Sequence, residues 1–306
     1  MFEKSALDLW KEECDRVGIA TFCKDLDYAL GSGIPQGMIT ELCGPPGSGK
    51  TQLCLQLSVN VQIPRSLGGL EGRVAYLDTN YGFSPQRIKG NAVRNSMRRC
   101  FQLLFPILEI SLGCYEHFSK LVRLRKQHEA DRLDSFLPDS ILGNILYTHV
   151  TSYTHVLEAI AVIQNKLHDG DKIRLVVIDS LSFLIRNTIN RTLERVRCLH
   201  EILTQLHKLA HRFGCVVSVV ITNDVTTQLL SDTGSSDRTM ESLIVPALGG
   251  SHSHKINQRI ILGKEDCESG QQDTYVALID KCHFSPKISI PFRIEAGGIR
   301  SVKSKK

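Results

Sequence analysis

Hydrophobic residues fall along this chain in two alternating patterns. Short runs that are apolar at nearly every position occur at residues 38–43, 73–77, 145–150, 175–179 and 215–222. Between them lie longer stretches whose apolar residues recur at helical spacing, at 21–30, 52–61, 152–167 and Thr192–Arg212. In the first of these Leu26 and Leu30 turn inward; in the third Val156, Ile160 and Ile163 share one side. Leu175-Val176-Val177-Ile178 is the most hydrophobic run. A strand apolar on both faces is what a parallel sheet requires. Strand–helix alternation therefore predicts an α/β fold with a mostly parallel central sheet and helices on both faces. Runs at 259–262, 275–279 and 291–295 follow one another without helical patterns and predict a C-terminal antiparallel section.

Other stretches break the alternation. Ala6–Cys14 reads as a short amphipathic helix. Its Leu7, Leu9 and Trp10 either pack on their own domain or dock on a neighbour. Residues 87–132 read as helical and basic, which suits a solvated helix face or a nucleic-acid surface. Residues 226–248 form a polar stretch around Gly234-Ser235-Ser236-Asp237, too long for an ordinary connection. At 306 residues the chain suits one large domain, and its net charge of +5 permits an anionic partner without demanding one. The ten cysteines form no CxxC pair, which argues against a zinc site. Cys43, Cys54 and Cys215 lie in apolar runs and read as buried free thiols, so a reducing compartment is expected. No apolar run is long enough to span a membrane, and no membrane partner is expected.

Chemistry enters at Gly44-Pro45-Pro46-Gly47-Ser48-Gly49-Lys50-Thr51, which fits the phosphate-binding pattern G-x-x-x-x-G-K-[ST]. Glycines let the backbone curl until several N–H groups face one anion. Lys50 reaches the outer phosphates, and the Thr51 hydroxyl can ligate Mg²⁺. A strand before the loop and a helix after it turn the helix dipole toward the phosphates. About 130 residues later Asp179 closes an apolar strand, where a carboxylate can hold the water shell of Mg²⁺ opposite Thr51.

Several stretches resemble a known family. They are Ile19-Ala20-Thr21-Phe22-Cys23, Leu30-Gly31-Ser32-Gly33-Ile34-Pro35, Glu41-Leu42-Cys43-Gly44, Gly49-Lys50-Thr51-Gln52-Leu53-Cys54, Val61-Gln62-Ile63-Pro64, Val245-Pro246-Ala247-Leu248-Gly249 and Phe292-Arg293-Ile294. They are similar to the RecA-type strand-exchange ATPases of eukaryotes, and among them most resemble the recombinase paralogues, the C paralogue above all. The resemblance implies a RecA-like P-loop core at residues 21–302, preceded by a linker or helix at 1–20 and followed by a basic tail at 303–306. It implies ATP and Mg²⁺ at Lys50, Thr51 and Asp179. It implies a first DNA-facing loop around residues 186–197, with Arg186, Arg191, Arg195 and Arg197, and a second at 225–253. There Arg238, His254 and Lys255 would meet phosphates without reading bases. Arg195 and Arg197 are equally explained as an exposed helix face, and His254 as a structural histidine.

Two departures from the family pattern strike turnover. Where the family has Asp-Thr-Glu-Gly, this chain has Asp78-Thr79-Asn80-Tyr81-Gly82, and an amide cannot accept a proton as a carboxylate does. Where the family has Thr-Asn-Gln, this chain has Thr222-Asn223-Asp224, and a carboxylate beside phosphate repels it unless paired or protonated. Asn80 and Asp224 thus read as degenerate catalytic positions beside an intact binding loop. Only about twenty residues precede the core, so the small N-terminal helical domain of full-length members is not expected, and no Phe-x-x-Ala filament segment is evident. These readings point to a nuclear recombination mediator in homologous recombination and double-strand break repair, meiotic or somatic. It would act in a hetero-oligomer of paralogues on single-stranded DNA and a recombinase filament. The alternatives are a DNA-stimulated ATPase in its own right, or an adaptor whose ATP site only stabilises the fold.

Overall fold

The computed structural model describes residues 5–14, 16–94, 138–213, 216–229, 242–250, 252–265, 273–295 and 297–302. Most of the basic 87–132 stretch, the centre of 226–248, Arg238, Cys215 and the tail at 303–306 lie outside them. Six strands run parallel: β1 (Ile39–Cys43), β2 (Arg73–Asp78), β3 (Ile145–His149), β4 (Ile173–Asp179), β5 (Ser218–Asn223) and, later in the chain, β8 (Gln258–Lys264). Their spatial order is β8-β1-β5-β4-β2-β3. Past β8 the sheet continues antiparallel through β9 (Tyr275–Lys281), β10 (Ile288–Glu295) and β11 (Gly298–Ser301). The expected fold class is the observed one. One detail differs: β8 is not simply part of the antiparallel section. It pairs parallel with β1 and antiparallel with β9, and so joins the two halves.

Helices cover both faces because each central strand is apolar on both. In β4, Leu175 and Val177 point to one core, Val176 and Ile178 to the other. The first core is closed by α2 (Lys24–Ala29), α3 (Lys50–Asn60), α4 (Pro85–Arg94) and α5 (Pro138–Gly143), which contribute Leu26, Leu57, Ile88 and Ile141. The second is closed by α6 (Tyr153–His168), α7 (Leu181–Thr188) and α8 (Thr192–Arg212), with Ile160, Leu184, Leu199 and Leu206 turned inward. By contrast α1 (Ala6–Cys14) buries none of its residues, and Leu7, Leu9 and Trp10 are exposed. Of the two readings of this helix, packing on its own domain is therefore not the one observed.

The helix α3, which follows the phosphate loop, is buried nearly all round. Its buried polar side chains are therefore satisfied by backbone groups, Ser58 by the Cys54 carbonyl of its own helix (2.8 Å) and others by neighbouring segments. Gln56 Nε2 donates to the Thr21 carbonyl (2.5 Å), Asn60 Nδ2 to that of Ala20 (2.6 Å), and the Ile299 N–H donates to Gln56 Oε1. These bonds clamp the loop's helix between the entry segment and β11.

Two expectations need correction. Residues 21–30 were expected to be one helix, yet α2 begins only at Lys24. The Asp27 carboxylate takes the N–H groups of Thr21 (2.7 Å) and Phe22 (3.1 Å), and Phe22 sits at φ +61°, so the chain turns before the helix starts. The stretch 226–248 is not wholly irregular, because β6 (Val225–Leu229) and β7 (Ser242–Pro246) pair as an antiparallel ribbon. Val225-Thr226-Thr227-Gln228-Leu229 and Ser242-Leu243-Ile244-Val245-Pro246 show no sustained alternation of apolar and polar residues, so the ribbon carries no clear period-2 signal in sequence.

Asp27 has a measurable consequence. Burial pushes its carboxyl up to about 7, against the pull of the Thr21 and Phe22 N–H groups. The folded state therefore holds this proton more tightly than the unfolded chain. The contribution is fully present below about pH 4 and is lost as pH rises through about 7. Melting temperature is expected to fall between pH 5 and 8, and Asp27→Asn, which mimics the protonated side chain, should flatten that slope in calorimetry.

Candidate nucleotide site

The site lies at the C-terminal ends of β1, β2, β4 and β5, where an open α/β sheet binds its ligands. The phosphate loop leaves β1 at Cys43 and enters α3 at Lys50. Its glycines are demanded by the geometry. A Cβ at Gly44 would stand 2.3 Å from the Leu262 carbonyl oxygen. Gly49, at φ +97°, would bring one to 2.7 Å from Ile294 Cδ1. Gly49 is also the N-cap of α3 and offers no side chain to the helix's first N–H groups, which are left for an anion.

Lys50 is buried, and its ammonium donates to the carbonyls of Gly44 (2.6 Å) and Pro45 (3.1 Å). Its third neighbour is Asp224 Oδ1, at 3.2 Å. Thr51 Oγ1 donates to Asp179 Oδ2 at 2.7 Å, so the two expected metal groups converge. Asp179 is held by two further donors, Tyr76 Oη (3.0 Å) and Thr222 Oγ1 (2.6 Å). Burial, and then the Asp179 charge, push the Tyr76 phenol well above its ordinary range, so it stays a donor. Ser48 Oγ is buried without a hydrogen-bond partner. An uncapped helix N-terminus, a buried ammonium, an orphaned hydroxyl and a Thr–Asp pair form a donor set that fits a polyphosphate with Mg²⁺.

Asn80 stands beside this set. A Cβ built at Gly82 would lie 3.0 Å from Asn80 Oδ1 and 3.8 Å from Thr51 Oγ1. Its amide oxygen accepts the Gly82 N–H at 3.2 Å and so is engaged within its own turn. That turn is organised by Asp78, which takes the N–H groups of Asn80, Gly82 and Phe83 at 3.0–3.2 Å. Tyr81, at φ +58°, stacks on His149 with ring centroids 3.9 Å apart.

The expected DNA-facing residues are scattered by comparison. Residues 186–197 are not one loop: α7 ends at Thr188, α8 begins at Thr192, and 189–191 alone connect them. Arg186, Arg191 and Arg197 are exposed. Arg195 is not free, since its Nε donates to the Ile189 carbonyl (2.6 Å) and its Nη2 to that of Arg186 (3.2 Å), bracing the end of α7. His254 is exposed. Lys255 Nζ is tied to Thr204 Oγ1 (2.5 Å) and the His200 carbonyl (3.4 Å) on α8. Arg238 lies outside the described residues.

Sequence reading missed a buried polar cluster next to the phosphate loop. Glu41, in the middle of β1, accepts from Arg259 Nε (2.6 Å), Asn223 Nδ2 (2.8 Å) and His252 Nε2 (3.1 Å). Burial raises the Glu41 carboxyl, but the His252 hydrogen bond and the Arg259 charge outweigh it and leave it at about 2. A lone Glu inside the apolar run Ile39-Thr40-Glu41-Leu42-Cys43 was the available signal, because a charge there must be paired.

The Rad51 family model matches residues 13–103 and 117–302. The chain is 31% identical over 297 residues to the "DNA repair protein RAD51 homolog 3" of Cricetulus griseus, covering 97% of this chain and 72% of that one. It is 30% identical over 303 residues to the protein of the same name from Dictyostelium discoideum, covering 97% and 69%. It is also 30% identical over 290 residues to the "Meiotic recombination protein DMC1" of Saccharomyces cerevisiae, covering 92% and 70%. With its RecA-like sheet, its phosphate loop and a family match over most of its length, this chain belongs to the Rad51 family.

Proposed function

We propose that this chain binds ATP with Mg²⁺ at residues 44–51 and Asp179 and serves as a recombination mediator with little turnover of its own. A role in DNA repair and recombination rests on its family membership and on the names of its relatives. One observation carries the finer reading. Residues 44–51 and Asp179 offer a donor set suited to a polyphosphate, while the Asn80 amide oxygen is engaged in its own turn and Asp224 sits on Lys50. In this reading Lys50, Thr51 and the N-terminus of α3 hold the phosphates, and Asp179, oriented by Tyr76 and Thr222, backs the metal's water shell. Mg²⁺ held at Thr51 and Asp179 would neutralise charge on the outer phosphates.

The exposed Arg186, Arg191, Arg197 and His254 support a sequence-independent hold on single-stranded DNA. The proposed setting is the nucleus, in a hetero-oligomer of recombinase paralogues that supports a recombinase filament. The exposed apolar residues of α1 supply a contact element for such an assembly. The test is nucleotide binding and phosphate release by the purified chain, with and without single-stranded DNA. Binding without measurable release supports the reading; robust DNA-stimulated release overturns it. Asn80→Glu combined with Asp224→Gln is expected to raise release at least about tenfold, since a positioned general base contributes 10²–10⁴-fold.

A further inference from the structure

Asp224 is held on several sides. Its Oδ2 accepts from Ser182 Oγ (3.1 Å), and its own N–H donates to the same hydroxyl (3.0 Å). Ser182 is fully buried and bonded in turn to Ser180 Oγ (2.9 Å). The Asp224 carbonyl accepts the Ala247 N–H at 2.8 Å, at the base of the β6–β7 ribbon. The remaining carboxylate oxygen faces Lys50 Nζ at 3.2 Å. This is the ammonium that a phosphate loop directs at the outer phosphates. A carboxylate held within the protein is thus already paired with that ammonium.

From this juxtaposition we infer that Asp224 is a specificity-determining residue that makes the site favour a nucleoside diphosphate over a triphosphate. The inference rests on the nucleotide-binding reading of the phosphate loop. A diphosphate fills the loop and the N-terminus of α3 and leaves the Lys50–Asp224 pair in place. A third phosphate must bring more negative charge beside a carboxylate that Ser182 prevents from turning away. Both anions then compete for one ammonium, and no second cation within 4.0 Å of Asp224 relieves them among the described residues. The repulsion is partly screened, because the Asp224 side chain is 30% exposed.

The experiment is isothermal titration of the purified chain with ADP, and separately with the β,γ-imido analogue of ATP, each with Mg²⁺. ADP is expected to bind about tenfold more tightly than the triphosphate, the scale of one partly screened like-charge contact. Asp224→Asn keeps the side-chain shape and removes the charge. It should strengthen triphosphate binding about tenfold while ADP changes by less than about threefold. Asp224→Gln provides a second neutral variant should the first melt early. Equal affinity of the wild-type chain for both ligands overturns the inference and leaves the nucleotide reading intact. So does an Asp224→Asn variant that loses triphosphate binding, which would make the carboxylate a partner of the metal. Failure of both ligands to bind any of the three proteins overturns both readings.

Discussion

Lys50→Ala is expected to weaken nucleotide binding by about a hundredfold or more, because it removes a buried ammonium and the charge-assisted bonds it would make to phosphate. Stability should change little. The carbonyls of Gly44 and Pro45 lose a donor, and Asp224 loses its cation, but the partial exposure of Asp224 lets water replace the ammonium. Titration calorimetry beside a thermal melt separates the two effects. An unchanged affinity would show that the loop does not read phosphate. Lys50→Arg is not expected to rescue. A bulkier planar guanidinium cannot serve two carbonyls of a tight loop as a compact ammonium does.

The largest effect on stability is expected at Glu41. Glu41→Ala leaves Arg259 buried without its short ionic partner and removes an acceptor from Asn223 and His252. Breaking a buried pair from one side costs about 3–5 kcal/mol, which lowers the melting temperature by on the order of 10 °C. Among the described residues Arg259 then keeps only Asp280, at 3.7 Å, as a carboxylate neighbour. The pH dependence has a definite sign. The folded Glu41 carboxyl is held at about 2, below its ordinary 4.5. Its stabilising contribution is therefore complete above about pH 4.5 and fades as pH falls toward 2. Urea melts between pH 5 and 2.5 should show a steep loss that Glu41→Gln makes shallower. A variant that melts like the parent at pH 7 would remove the cluster from any account of this fold. Asp27 pulls the other way at higher pH, so the two carboxylates bound a stability maximum in the mildly acidic range.

Much of the candidate site was legible because its chemistry is local. The phosphate loop is one contiguous segment, and glycine spacing, a lysine and a threonine carry its meaning in sequence. The terminal carboxylate of β4 was legible because a run apolar on both faces ends at Asp179. The exposed arginines were less so, since charge pattern alone does not separate a phosphate contact from a structural brace. Arg195 turned out to hold the end of α7 and Lys255 to hold α8, while Arg186, Arg191 and Arg197 stand free of such bonds among the described residues. The ribbon β6–β7 and the short helix α7 escaped because both are brief and their periodicity spans only a few residues.

Sequence by itself determined the fold class, the strand–helix alternation and the glycine-rich segment 44–51 with its Lys50 and Thr51 between a strand and a helix. Each is written in residues that are neighbours, or in a period that repeats over one element. Tertiary structure alone decided which distant charges meet. Strand order places β5 and β8 on either side of β1, and that brings Asn223 and Arg259 onto Glu41 across 182 and 218 positions. The same order sets Asp224 at the end of β5 against Lys50 at the start of α3. Ion pairs of this kind depend on distances of a few ångströms between segments, which no local pattern encodes.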